Sequence, residues 1–266
     1  MQDYLSEVQR LHTLFSFIAF VFLLSWESVF PFFSFFKNKS GQRLRHSITN
    51  LFFGLFNSLM IGSLFFAMWI GASIFSESTG VGLLHHLDLV SWQKTMIVVL
   101  IMDFWTYWWH RLNHEIPFLW RFHRVHHSDM NMDVTTSFRF HMGEIALSSI
   151  LRIPIIFLIG CQVWQIVTYE ALMFLIVQFH HANVAVPPRL DKALRALIVT
   201  PDMHKVHHSI EWKDLNSNYT SFFSLWDRLF GTFRILKDTK AIRFGVKDYE
   251  NPEQQDLAAL VKSPID

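Results

Sequence analysis

Apolar residues in this chain come in runs rather than in alternation. Four runs stand out, at residues 11–30, 48–70, 92–109 and 145–179. Each of the first three has roughly the 20 residues a helix needs to cross a ~30 Å hydrocarbon core. The fourth is too long for one crossing. It is interrupted at Gly160-Cys161-Gln162, and Pro154 is placed to kink its first half. This pattern predicts two short helices forming a hairpin. From Pro187 onward charges recur regularly, and residues 189–197 read as an amphipathic helix at a membrane surface. Residues 238–266 are polar and read as a peripheral tail. No repeat of solenoid length and no low-complexity tract is present.

Composition strengthens the membrane reading. Hydrophobic residues make up 51% of the 266, aromatics 16% and charged residues only 17%, against about a quarter charged in soluble domains. A net charge of +1 gives no basis for a nucleic-acid partner. The first run lacks a basic leader and a small-residue cleavage site, so it is expected to be a retained helix. Lysine and arginine in the loops set the orientation. Lys37, Lys39, Arg43 and Arg45 follow the first run, the loop at 71–91 has no basic residue, and Arg111, Arg121, Arg124 and Arg139 follow the third. The alternation puts the N-terminus outside and the first loop, the later polar segments and the C-terminus in the cytoplasm.

Candidate chemistry enters with histidine. There is one cysteine, Cys161, so intrachain disulfides and thiolate metal sites are excluded. Fifteen histidines are present, and three clusters concentrate them. His110 and His114 stand at i and i+4. His123, His126 and His127, and again His204, His207 and His208, stand at i, i+3 and i+4. On a helix these spacings share a face, so each cluster can aim two or three imidazoles at one point. Neutral imidazole suits iron, zinc, copper and nickel. Eight such nitrogens exceed what one tetrahedral zinc takes, which points to two metals. His180, His181 and His141 lie near the same predicted face. Asn183 and Asp103 are candidate acceptors for the outer ring nitrogens of bound histidines, Asp103 being costly inside an apolar helix. His12, His46, His85 and His86 are read as solvated or core residues. The aromatic run at 104–109 reads as an interfacial belt and as one wall of an apolar tunnel.

These residues resemble the fatty acid hydroxylase / sterol desaturase superfamily, in its compact bacterial-type form. One His-x-x-x-His and two His-x-x-His-His boxes occur in that family's order. Asp103-Phe-Trp-Thr-Tyr107-Trp-Trp-His110, Phe179-His-His181-Ala-Asn183, Thr200-Pro-Asp-Met-His204, Asn218-Tyr219 and Trp226-Asp-Arg-Leu-Phe-Gly-Thr-Phe233 extend the match. The resemblance implies an all-α integral membrane helical bundle of about three full spans plus a hairpin, with a cytosolic histidine-rich di-metal cap. One membrane-embedded domain would cover 1–266, with the catalytic region at 103–233. It further implies two iron ions (zinc can substitute in a purified form), O2 as oxidant, a membrane lipid as substrate, and a bacterial inner membrane as location. Electrons would come from a separate cytochrome b5-like protein, ferredoxin or reductase. The implied ligands are His110, His114, His123, His126, His127, His181, His204, His207 and His208. His180 and His141 match the pattern less closely, the latter through Phe140-His141-Met-Gly-Glu144. No catalytic side chain beyond the ligands is implied.

Three other readings stay open on the residues alone. One is a non-catalytic metal-binding or transport protein, whose histidines should line a path across the membrane rather than gather on one side. A zinc-dependent membrane hydrolase is compatible with His-x-x-x-His, although its helical signature wants Glu beside the first histidine and position 111 is Arg. A bis-histidine haem protein needs only two facing imidazoles and leaves the triplets unexplained. Hydroxylation and desaturation of an unactivated C–H bond are not separated by spacing.

Overall fold

The computed structural model describes residues 2–247 and 249–265, with side chains from Leu5 onward. Among them there is no β-strand beyond two isolated bridges, Ile198 with Phe223 and Ser209 with Phe244. The first helix, α1 (Gln2–Val29), is followed by α2 (Ser40–Met60), which runs through a π-helical turn (Ile61–Phe65) into α3 (Phe66–Thr79). Four segments are long and apolar enough to cross a membrane: Leu5–Val29, Ser40–His86, Met142–Ile159 and Val163–His181. Their outward faces carry exposed apolar side chains such as Phe17, Phe22, Leu55, Leu59 and Phe75, as expected where lipid is the solvent.

The second expected span, 48–70, is therefore part of a much longer helix. No proline interrupts residues 40–79, and the π turn absorbs one register change. The third expected span, 92–109, lies in α4 (Ser91–Glu115), which is not among the four. Lys94, Asp103 and the Trp/Tyr-rich run lower its hydropathy. It packs on α7 with Val98, Met102 and Tyr107 fully buried, and leaves Trp92, Met96, Leu100 and Phe104 exposed along its other side.

The hairpin forms as the sequence predicts. Helix α6 (Met142–Ile159) ends at Gly160 in the left-handed region (φ 73°), and α7 (Val163–His181) starts after Gln162. The arms separate: α6 packs on α3, and α7 on α1 and α4. Between α4 and α6 lie α5 (Pro117–His127) and a 3₁₀ turn (Val134–Phe138). Short helices close one end of the bundle: α8 (Pro188–Leu194), α9 (Pro201–His207), α10 (Trp212–Leu215), α11 (Leu225–Leu229) and α12 (Leu257–Lys262).

The end of the tail is not peripheral. Leu260 is fully buried in a cluster with Phe53 and Val125, Gln255 bonds Arg139, and Arg124 bonds Ser263. Its polar composition hid a single apolar face.

Candidate metal centre

Two prolines bring the clusters together. Residue 116 precedes Pro117, which disfavours helix at that residue and ends α4. Pro117 then starts α5 at its first turn. The chain folds back, so His123, His126 and His127 face His110 and His114. Pro201 starts α9 in the same way and delivers His204 and His207, with His208 at its cap. The end of α7 adds His180 and His181.

Nine of the eleven histidines singled out in the sequence fall into two groups. His110, His114, His123, His127 and His207 form one, and His126, His181, His204 and His208 the other. Within each group one ring nitrogen per residue lies within 4.8 Å of all the others. All nine are buried, and the groups abut where His127 stacks on His208 at 4.4 Å. His180 lies outside both groups, tilted over His204 at 3.9 Å. His141 is engaged elsewhere: its Nδ1 accepts from the Gly143 N–H as the cap of α6, and its Nε2 meets the Val261 carbonyl.

The outer nitrogens fix the tautomers. His110 Nδ1 donates to the Tyr219 carbonyl at 2.6 Å, His207 Nδ1 to the Ser217 carbonyl at 2.7 Å, and His181 Nδ1 to the Val177 carbonyl at 2.7 Å. His123 Nδ1 meets Glu144 Oε1 at 2.9 Å. A carbonyl only accepts, so the proton of His110 and of His207 sits on Nδ1. Yet their Nε2 atoms face each other at 3.0 Å. Two lone pairs at that distance repel, and a cation between them removes the conflict. In the second group the tautomer of His181 alone is fixed by a carbonyl; its Nε2 lone pair lies 3.1 Å from His126 Nε2 and 3.0 Å from His204 Nε2, so three ring nitrogens converge there as well.

Protonation offers little relief. Burial first, and repulsion from neighbouring imidazoles second, hold His126, His127, His204 and His208 well below the usual histidine pKa. Burial and the adjacent His110 do the same for His207. They are neutral, the form that binds metal. Spacing also constrains the ion. Nitrogens ~2.1 Å from a metal stand about 3.4 Å apart at the tetrahedral angle and about 3.0 Å apart at a right angle. The facing pairs measure 3.0–3.1 Å, a separation one shared ion can bridge, and the five nitrogens of the first group exceed the four ligands of tetrahedral zinc. Five and four converging nitrogens also exceed the two axial ligands of a haem.

Two expected orienting residues act elsewhere. Asp103 Oδ2 accepts from the Phe223 N–H at 3.1 Å and the Trp226 indole at 2.8 Å, because seven residues place it about 10 Å down α4 from His110. Asn183 bonds both backbone groups of Phe33, and its own N–H donates to Glu27, tying the end of α7 to the first loop. The orienting role falls instead to Glu144 and to the carbonyls of Tyr219, Ser217 and Val177.

A buried network backs α5. His46 contacts both oxygens of Asp129 at 2.9 Å, and Thr136 donates to the same carboxylate. Arg139, 1% exposed, reaches the Val125 carbonyl, Asn50, Ser128 and Gln255. Burial alone would raise the Asp129 pKa, but His46 and Arg139 hold it below the carboxylate range. His46, expected as a solvated or core residue, is a core residue that supports α5.

A cavity of about 510 Å³ opens onto the first group, lined by His114, Arg111, Glu115, Trp120, Trp212 and Tyr219 among others. His114 has no partner at either ring nitrogen.

Helices long enough to span a membrane, converging on two buried all-histidine groups, define a membrane-embedded protein with a candidate two-metal centre. Comparison with known proteins makes the class specific. The fatty acid hydroxylase family model matches residues 95–232, just over half of the 266, and the chain belongs to that family. It is 30% identical over 132 residues to the alkylglycerol monooxygenase of Homo sapiens, covering 50% of this chain and 28% of that protein. It is 34% identical over 146 residues to the ornithine lipid hydroxylase OlsE of Rhizobium tropici, covering 53% and 43%. With the cholesterol 25-hydroxylase of Homo sapiens it shares 24% over 155 residues, covering 57% and 52%. The chain thus spans about a quarter to a half of these relatives. No solved structure matches it.

Proposed function

We propose that this protein is an O2-dependent di-iron membrane oxygenase that hydroxylates an unactivated C–H bond of a lipid. The observation that carries the reading is the pair of Nδ1-protonated imidazoles, His110 and His207, with their Nε2 lone pairs 3.0 Å apart in a buried site. One iron would be held by His110, His114, His123, His127 and His207, and the other by His126, His181, His204 and His208. Iron, when bound, supplies the one-electron and O2 chemistry that amino-acid side chains lack.

The chain's own residues hold and shield the centre. Backbone carbonyls and Glu144 keep ring protons on the outer nitrogens, leaving the inner lone pairs free. The Glu144 carboxylate fixes the orientation of the His123 ring. Phe140 stacks on His126 at 4.2 Å, and Trp120 packs against His114 at 5.1 Å, excluding water from those faces. The relatives include a monooxygenase, an ornithine lipid hydroxylase and a cholesterol 25-hydroxylase, which supports a lipid substrate and hydroxylation over desaturation. Electrons would come from a separate donor protein, and the basic first loop supports a cytoplasmic histidine end.

The test is metal analysis of the purified protein together with mass spectrometry of lipid extracts from cells with and without it. Two irons per chain and a lipid gaining one oxygen are expected. Zinc alone with no O2 consumption would favour a hydrolase and defeat the proposal. A lipid losing two hydrogens would make the enzyme a desaturase.

A further inference from the structure

The cap carries an apolar patch that the metal centre does not use. On α8 and the turn after it, Leu190 and Leu197 are 50% and 63% exposed; on α11, Leu225 and Leu229 are 49% and 64% exposed. The two elements form one surface: the Ser224 N–H donates to the Leu197 carbonyl, the Ser224 hydroxyl to the Arg195 carbonyl, and Arg228 to that same carbonyl. The exposed charges on both are all basic, namely Arg189, Lys192 and Arg228. The acidic residues, Asp191 and Asp227, are turned inward.

Depth decides what covers the patch. Trp226 donates to Asp103, and Phe104 packs on both Trp226 and Phe230. Asp103 lies two helical turns, about 10 Å, along α4 from His110 toward the opposite end of the bundle. The Tyr169 hydroxyl bonds Thr106 at 2.7 Å, which links this level to the middle of α7, one of the four helices able to cross a membrane. The cap therefore does not sit wholly above the bundle. Its α11 side reaches down beside α4, to a depth the bilayer occupies around α7.

We infer that the α8–α11 face is a membrane-inserted foot of the cap, its leucines in the acyl boundary and Arg189, Lys192 and Arg228 on anionic headgroups. Interfacial helices bury their apolar faces about 5–10 Å into that boundary, a depth within reach of side chains packed at the level of Asp103. Continuity with the lipid-facing helices and the one-signed charge favour a bilayer over a protein partner. The inference rests on packing and exposure and does not depend on the reaction assigned to the histidines.

The test places single cysteines in a Cys161→Ser background, at Leu190, Leu229, Phe17 and Lys213, each labelled with nitrobenzoxadiazole. The labelled proteins go into phosphatidylcholine/phosphatidylglycerol vesicles. Labels at Leu190 and Leu229 should lose emission to acyl-brominated lipid, as the α1 reference at Phe17 does, and resist aqueous iodide. The label at Lys213 should do the reverse. Iodide quenching at Leu190 and Leu229 without bromine quenching would overturn the inference. So would protection from both quenchers that vanishes on dilution into excess lipid, the sign of a second copy covering the patch. In Leu190→Lys/Leu229→Lys, metal content should stay at the parent level while headgroup dependence on phosphatidylglycerol rises. Loss of metal there would mean the face is core, and would also overturn it.

Discussion

Replacing Glu144 by glutamine should loosen metal binding without emptying the site. Glu144 is 4% exposed and accepts the His123 Nδ1–H at 2.9 Å, so the bond is buried and charge-assisted. Hydrogen bonds to charged groups contribute about 1.5–3 kcal/mol net and neutral ones about 0.5–1.5. Glu144→Gln keeps an acceptor but removes the charge, a loss of about 1–1.5 kcal/mol, or roughly tenfold in affinity. Glu144→Ala removes the acceptor as well and should approach a hundredfold, the upper end of the 10–100-fold range for outer partners of metal-bound histidine. The assay is equilibrium competition with a chelator, with metal per chain read by plasma mass spectrometry on monodisperse protein. Parent-like retention in both variants would refute the orienting role, as would a glutamine variant weaker than the alanine one.

Other outcomes follow from the packing and the titration. Leu260→Ala should cost about 2–5 kcal/mol of stability, since it hollows the contact with Phe53 and Val125 beside His126; an unchanged melting temperature would show that α12 is not docked. Gly82→Ala should cost about 1–3 kcal/mol. Its added carbon would lie 2.6 Å from the Gly160 Cα, at φ +134° where side chains are strained. Parent-like thermal unfolding would show that this loop yields. The metal-free protein should lose stability as pH falls below about 6.5. His126, His127, His204, His207 and His208 are depressed when folded, so between the folded and unfolded pKa values the unfolded chain binds more protons. Each contributes up to about 1.4 kcal/mol per pH unit there, and a denaturation midpoint flat from pH 7.5 to 5 would contradict this.

The hairpin and the three histidine boxes were legible because each depends on local spacing: Gly160 for the break, i, i+3 and i+4 for the ligand faces. The division into a five-histidine and a four-histidine group was not. It separates the neighbours His126 and His127, whose side chains point about 100° apart on α5. Partners that orient the ligands escaped for a different reason. Tyr219 and Ser217 act through backbone carbonyls, which carry no residue signature, and Asp103 and Asn183 were plausible by type but are committed elsewhere by tertiary contacts. Glu144 stood within a recognised Phe-His-x-x-Glu element, and its place three residues after His141 was the available signal. His46 lay 83 residues from Asp129, and nothing local links them. Helix α4 falls outside the four segments apolar enough to span because Lys94, Asp103 and its histidine-bearing turns share one helix with the apolar run.

Iron content and product oxygen, measured on one preparation, test the central claim most directly. Wild-type protein and His207→Ala, made in iron-replete cells, would be compared for metal per chain and for oxygen from isotope-labelled O2 in cellular lipid. The account predicts two irons and labelled lipid for the parent, with both lost in the variant. Full iron and unchanged labelling in His207→Ala would contradict it.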